Sequence, residues 1–341
     1  MKPHCRFGRL PSRQFSIWLV LLLAIVRGAH AATPINVGYL PVLPMSQLFV
    51  IVGEGWAKSA GIELKLQRFT DAAALMKAFA AGQLQVAYVG ISPVLVARSK
   101  GIDVRVVASN IVEQVAFFAG GELSRYMLRD AASGITRFTA RTGRRPRIGV
   151  LPKGSVPDTV LRHWLTKSAH LTLDNVEIVS LGADQLQSAV LAGTVDGAAL
   201  LEPLLTLALT RNSTAKVVMN GVEMMPNMPG AVLAVAGTLT RSKPGIVQKV
   251  VDLHHRATEF LIRKPEIAAA HIRTALGGDY TLAIIERAIT SPQIKFVSDP
   301  FRIANSTKAL YEFLRESGEL TAPVDLDALF DTHYYRKLAG G

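Results

Sequence analysis

Leu75, Ala78, Ala81, Gly82 and Ala87 recur 111 residues later as Leu186, Ala189, Ala192, Gly193 and Ala198. In each copy a helical run ends in Ala-Gly and feeds a short apolar strand, so the chain is expected to build two related units. In the first, Ile35 to Leu40 reads as a buried strand closed by Pro41 and Pro44, and Leu48, Ile51, Val52 and Trp56 share a helical face that Gly61 ends. Ile62, Leu64 and Leu66 alternate with Glu63, Lys65 and Gln67, the period of a strand. A helix from Asp71 turns Leu75, Met76 and Phe79 inward, and strands follow at Val86 to Val89 and Val104 to Ala108. The second copy has strands at Arg147 to Leu151, Val176 to Val179 and Gly197 to Leu201, with helices at Ser155 to Lys167 and from Ala183. Strands separated by helices predict an α/β fold with largely parallel sheets.

Two short apolar runs, Val115 to Phe118 and Ala231 to Ala236, read as strands crossing between the units. From Ser242 onward the pattern is helical, with Ile246, Val247, Val250, Val251, Phe260 and Leu261 on one face and Leu310, Phe313 and Leu314 on a later one. These helices have no strands of their own to cover and are expected to return to the first unit. The resulting division is a discontinuous lobe 1 of residues 32–114 and 238–341, a lobe 2 of residues 115–237 with crossing strands at both ends, and a cleft between them. Segment 122–146 fits neither copy. Its Arg125, Arg129, Arg137, Arg141, Arg144 and Arg145 stand among Gly, Ser and Thr and read as a solvated excursion.

Residues 1–31 have the pattern of a cleaved export signal. Lys2, Arg6, Arg9 and Arg13 precede an apolar run from Ile17 to Val26, and Ala29-His30-Ala31 presents small residues where a signal peptidase reads. Cleavage after Ala31 leaves 310 residues, and losing Lys2, Arg6, Arg9, Arg13 and Arg27 lowers the formal charge from +12 to +7. The only cysteine, Cys5, goes with the leader, which excludes disulfides and cysteine metal sites from the mature chain. An exported protein free of cofactors and metals is the expectation.

The candidate site collects at the ends of strands. Gly90-Ile91-Ser92-Pro93 follows one strand, and Gly154-Ser155-Val156-Pro157-Asp158 follows another. Each turn aims free backbone N–H groups, a hydroxyl and the positive end of a helix dipole at one spot, which suits an anion. Ligands of open α/β sheets bind at such ends. Pro44-Met45-Ser46-Gln47 offers a third helix start, with Ser46 as cap and Gln47 as donor. Glu202, after the strand Gly197 to Leu201, supplies a carboxylate for a ligand amine or an arginine. Asn227 and Met228, within the Met224 to Pro229 cluster, offer a flexible apolar lining.

Signs of catalysis are weak. Val94 stands where a G-x-S-x-G elbow needs its second glycine, and neither a P-loop nor G-x-G-x-x-G occurs. No H-E-x-x-H is present, and His255 with Glu259 reads as a local pair on a helix surface. The arginine segment comes with no nucleic-acid-binding signature.

Three stretches carry a resemblance to a known family: Asn36 to Leu40; Ala81-Gly82-Gln83-Leu84-Gln85-Val86-Ala87-Tyr88-Val89-Gly90; and Gly101-Ile102 before Val104 to Ala108. Gly154-Ser155, Val160 to Leu165 and Ala192-Gly193-Thr194-Val195-Asp196-Gly197-Ala198 extend it into the second unit. Together they resemble the nitrate/sulfonate/taurine/bicarbonate class of ABC-transporter solute-binding proteins. The resemblance implies a type II periplasmic-binding-protein fold, two lobes closing on a small anionic or polar organic solute, and delivery to a membrane permease and its ATPase by a periplasmic monomer. Carried over by position, Ser92 and Ser155 would hold the anionic group with Gln47 and Glu202 nearby; together with the turns and the Met cluster read above, the expected site is Pro44, Ser46, Gln47, Gly90, Ser92, Gly154, Ser155, Val156, Glu202, Asn227 and Met228. One departure is visible: the family's compact Asp-Leu-x-Gly-Lys turn is replaced by Thr142-Gly143-Arg144-Arg145-Pro146. The rival readings are an enzyme on the same scaffold, resembling thiamine-pyrimidine synthases or menaquinone-pathway enzymes, and an exported ligand sensor.

Overall fold

A computed structural model describes His4, residues 32–127 and residues 130–339. The expected leader, with Cys5 and its basic residues, and Arg129 of the arginine segment lie outside the described residues.

Twelve strands among the described residues form two five-stranded sheets and one two-stranded ribbon. The first sheet takes β1 (Thr33–Tyr39), β2 (Ile62–Arg68), β3 (Val86–Gly90) and β4 (Val104–Ser109). The short β5 (Ile111–Val112) follows. The second sheet takes β6 (Ala116–Ala119), β7 (Arg147–Val150), β8 (Glu177–Ser180), β9 (Gly197–Leu200) and β10 (Lys216–Met219). β11 (Ala231–Ala236) returns to the first sheet, and β12 (Lys295–Phe296) pairs with β5.

The duplication read from the sequence has a counterpart in the topology. The first sheet runs β2-β1-β3-β11-β4 and the second, read from its far end, β8-β7-β9-β6-β10. In each, three parallel strands are followed by one antiparallel strand contributed by the other half of the chain. The helices Ala72–Ala80 and Ala183–Leu191 occupy matching places. Gly82 at φ +74° and Gly193 at φ +66° let each chain turn out of its helix, a conformation that costs a residue with a Cβ. Ala87 and Ala198, small and fully buried, follow in β3 and β9.

Three of the expected placements change. β11 was expected within lobe 2, but it hydrogen-bonds between β3 and β4, so its sheet is that of lobe 1. The chain crosses between lobes through Asn110 to Val115 and Met228 to Gly230, two strands' ends held together by Glu113 N–H to Met228 O at 2.9 Å and Asn110 N–H to Ala231 O at 2.9 Å. Segment 122–146 is not an excursion. Asp130 caps a helix at Ala131–Thr142 through Ala132 N and Ser133 N, and Ala131, Ile135 and Phe138 put one face into the core. Arg125, Arg137, Arg141, Arg144 and Arg145 are the exposed part of it. The departing turn ends in a bidentate pair, Arg144 to Asp196 at 2.7 and 2.8 Å.

The long helix Pro244–Arg263 buries Val247, Val250, Val251, Ala257 and Leu261 against lobe 1, where it meets the helix Ser46–Gly53. The later helix, Phe301–Glu316, was expected on lobe 1 alone. It touches both lobes, packing on Ile91–Ser99 of the first and Val156–His163 of the second. Ile303, Leu310 and Leu314 consequently belong to a core cluster that contains residues of both sheets.

Candidate functional site

Residues just beyond the C-terminal ends of β1, β2, β7, β8 and β9 surround a cleft with two adjoining chambers, each of about 470 Å³. Pro41, Val42, Leu151 and Ala183 line both, so the two spaces adjoin. This is where an α/β sheet offers loose loop ends and helix starts in place of packed backbone. The first chamber has apolar walls from Leu40, Met76, Pro93, Val96 and Ile102, with Lys77, Lys100 and Lys153 at its edge. Its one carboxylate, Asp71, caps the helix Ala72–Ala80 by accepting from Ala74 N at 2.8 Å. The second chamber is more polar and carries Asp184, Glu202, Asp279 and Tyr280 along with Arg68.

The residues expected at the site divide into three groups. Gly154 and Ser155 line the first chamber and Glu202 the second. Gly90, Ser92 and Val156 lie at the seam between lobes: a Cβ on Gly90 would come within 2.8 Å of Val156 Cγ2. Ser92 is fully buried, and its hydroxyl has no hydrogen-bond partner. It sits inside the helix Ile91–Ser99, which begins after Gly90 without a side-chain cap, so a capping role for Ser92 is ruled out. The remaining five do not line the cleft. Pro44 O accepts from Asn110 Nδ2 at 3.1 Å, and the Ser46 hydroxyl donates to Leu43 O instead of capping the next helix. Gln47 fastens lobe 1 internally, donating to Asn110 O at 2.7 Å and Thr258 Oγ1 at 3.2 Å. Asn227 is exposed and gives its N–H to Glu113 Oε1 at 3.0 Å, while Met228 is fully buried core. The methionine cluster fills space where the chain crosses between lobes.

The second turn is not a bare anion seat. Ser155 caps the helix Val156–His163, accepting from Asp158 N at 3.4 Å, and Gly154 N donates to Asp158 Oδ2 at 3.1 Å. The buried Asp158 carboxylate also takes Arg162 Nε at 2.8 Å, so this helix start already holds a negative charge. Cationic attraction in the first chamber comes from the three lysines. Burial pushes the Glu202 carboxyl above the usual carboxylate range, although Thr206 gives it an N–H at 2.9 Å and a hydroxyl at 3.0 Å. Burial, with Asp184, Asp279 and Glu202 nearby, pushes the Tyr280 phenol up and keeps it a hydrogen-bond donor. Near Gly154 the half-buried Glu319 is raised by desolvation and then by Asp158.

Sequence reasoning missed Lys77, Lys100, Lys153, Asp279 and Tyr280. Lys153 was within reach, because it immediately precedes Gly154-Ser155. Lys77 interrupts the apolar run Leu75 to Phe79 on the side away from the core. Asp279 and Tyr280 arrive from a distant C-terminal loop, for which local spacing holds no signal.

Comparison with known proteins gives the following. The model of the NMT1-like family matches residues 28–275. A Bacillus subtilis (strain 168) protein named for binding aliphatic sulfonates is 24% identical over 299 residues, 86% of this chain and 85% of the relative. The alkanesulfonate-binding protein SsuA from Xanthomonas axonopodis pv. citri, solved bound to MOPS, superposes with a TM-score of 0.70 at 19% identity, covering 87% of this chain and 98% of that one. The periplasmic nitrate-binding protein NrtA from Synechocystis PCC 6803 gives 0.77 at 11% identity, covering 91% and 89%. These likenesses show a two-lobed periplasmic-binding-protein fold.

Proposed function

The chain belongs to the NMT1-like family, and from that premise we propose that it is the extracytoplasmic solute-binding subunit of an ABC importer, capturing a small organic anion by lobe closure. The observation that carries this is the first chamber: an apolar space of about 470 Å³ between the lobes, edged by Lys77, Lys100 and Lys153. A three-oxygen inorganic anion would leave most of that space unfilled and its walls unused. A sulfonate or carboxylate on an apolar body uses both the walls and the charges.

In this reading the lysines attract and hold the anionic group, with Gly154 and Ser155 beside it. Pro93, Val96 and Met76 pack on the apolar body. Ser92 lies at the base of the helix carrying Pro93 and Val96, where a small shift of the lobes would bring its unused hydroxyl into play. Contacts from both lobes shift the population towards the closed form, which a permease and its ATPase at the membrane would recognise. The leader of residues 1–31 would send a monomer out of the cytoplasm. Lobe 1 would comprise residues 32–114 and 231–341, the later start following from the pairing of β11.

The test is thermal stabilisation and calorimetric titration of the purified protein with alkane- and arylsulfonates, carboxylates, nitrate and bicarbonate. An organic anion at a hundred times its Kd adds about 2.7 kcal/mol to stability, a rise of several degrees. Stabilisation by nitrate or bicarbonate alone, or by none of the anions, would overturn the reading.

A further inference from the structure

We propose that lobe closure responds to pH through His163: a neutral imidazole keeps the helix Phe301–Glu316 docked on lobe 2, and a proton on it releases that helix and lets the lobes part. This rests on the closure reading above and adds a control to it. His163 is the last residue of the lobe 2 helix Val156–His163. Its ring meets Phe313 of the helix Phe301–Glu316 edge to face, with centroids 5.3 Å apart. That helix also packs on Ile91–Ser99 of lobe 1, so the aromatic pair stands where one helix joins the two lobes. One turn on, Lys167 reaches Glu316 at 2.7 Å, a second tie between the same two elements.

The two ring nitrogens are not alike. The backbone carbonyl of Met224, in the adjoining helix Gly221–Met224, accepts a hydrogen bond from the ring, whereas Nδ1 is buried and has no partner. In the neutral form Nε2 therefore carries the proton and Nδ1 only a lone pair. A second proton must go on Nδ1, where it makes a buried N–H without an acceptor and sets a positive charge beside Lys167. The charged groups acting on the ring are Lys167 from its own stretch of chain and Glu316 from the helix Phe301–Glu316. Burial first, and then Lys167, hold the imidazole below its usual 6.5, and Met224 O and Glu316 do not offset them. With the helix undocked the ring is hydrated and protonates near 6.5; with the helix docked it protonates only at lower pH. Docking is therefore at full strength above pH 6.5 and weakens as pH falls below it. The cleft carboxyls act with the opposite sign on an anion. Glu202 and Glu319, both raised by burial, lose their charge on acidification and so favour a negative ligand.

Small-angle scattering of the ligand-free protein at pH 7.5 and pH 5.0 reads the lobes directly. The parent should show the larger radius of gyration at the lower pH. His163→Gln keeps a donor for Met224 O but cannot titrate, and His163→Phe keeps a ring against Phe313; neither should expand. Calorimetric titration with hexane-1-sulfonate, which stays anionic throughout, should find the parent weaker at pH 5.0 by about threefold or more, and each variant no weaker there than at pH 7.5. A parent whose radius does not change, or an expansion that both variants share, would overturn the switch. If hexane-1-sulfonate binds at neither pH, the anion-binding reading falls, and the scattering still decides this inference.

Discussion

Ser92 buries a hydroxyl that neither caps its helix nor finds a partner. Leaving such a group unpaired costs about 1–3 kcal/mol, so Ser92→Ala is expected to melt at the same temperature as the parent or higher. If the hydroxyl is reserved for ligand, the same variant should bind an organic anion about tenfold more weakly, the worth of roughly one hydrogen bond to a charged group. Denaturation and titration of one sample separate the two effects, and a lower melting temperature with full affinity would show that the hydroxyl serves the fold alone. His254 presents the opposite case, a buried polar group fully used. Its Nε2 faces Ser109 O at 2.7 Å, and because a carbonyl only accepts, Nε2 carries the proton and Nδ1 accepts from the Tyr88 hydroxyl at 3.3 Å. Burial pushes this imidazole down from 6.5 to about 4. The unfolded chain takes up the proton near pH 6.5 and the folded one only near 4. The stability this histidine confers is therefore complete above pH 6.5 and is lost as pH falls towards 4, about 3 kcal/mol in all. His254→Gln keeps a donor for Ser109 and should flatten the fall in unfolding free energy between pH 7.5 and 4.5 by about 2–3 kcal/mol; an unchanged slope would mean that the imidazole already titrates normally.

At the scale of elements, the strands that follow helices were the most legible part of the chain, because short apolar runs fed by Ala-Gly helix ends recur in both copies. The helix Ala131–Thr142 was not legible, and the reason is physical. Gly134 looks like a loop residue, but a Cβ there would lie 2.8 Å from Met127 Cα and 2.8 Å from Tyr126 O, so glycine is what lets the short helix Gly121–Tyr126 pack close. The arginines, read as a reason for solvent, mark only the outer face, and the signal was Ala131, Ile135 and Phe138 at helical spacing. Phe138→Ala should therefore cost about 3–5 kcal/mol in denaturant unfolding. Arg141→Ala, on the exposed face, should stay within about 0.5 kcal/mol. Equal, small effects from both would return the segment to a solvated loop. The site was half legible for a related reason: turns that follow strands can be placed from local pattern, whereas the three lysines and the Asp279-Tyr280 loop meet only through packing of elements far apart in the chain.

The whole molecule is held in a state where its lobes touch. Gly90 at the end of β3 and Val156 at the start of the helix beyond β7 are in contact across the seam, and the helix Phe301–Glu316 spans both lobes with Ile303, Leu310 and Leu314 in a shared core. Lys167 and Glu316 add an exposed tie at 2.7 Å, worth little by itself. Opening must then separate the Gly90–Val156 contact while the two crossings, bonded to each other at Glu113 and Met228, stay paired and act as the hinge. Gly90→Ala tests that division of labour. Its φ of −67° is open to any residue, so the backbone is not strained. The added methyl collides only with Val156 of the opposite lobe, a crowding that costs about 1–3 kcal/mol and falls on the closed form alone. Each lobe should fold as before, and the closed-to-open ratio should drop about 5–150-fold. Small-angle scattering should show a larger radius of gyration without ligand, and titration should show affinity for an organic anion weakened by up to that factor. A variant as compact and as tight-binding as the parent would mean that Gly90 and Val156 do not meet in the closed protein.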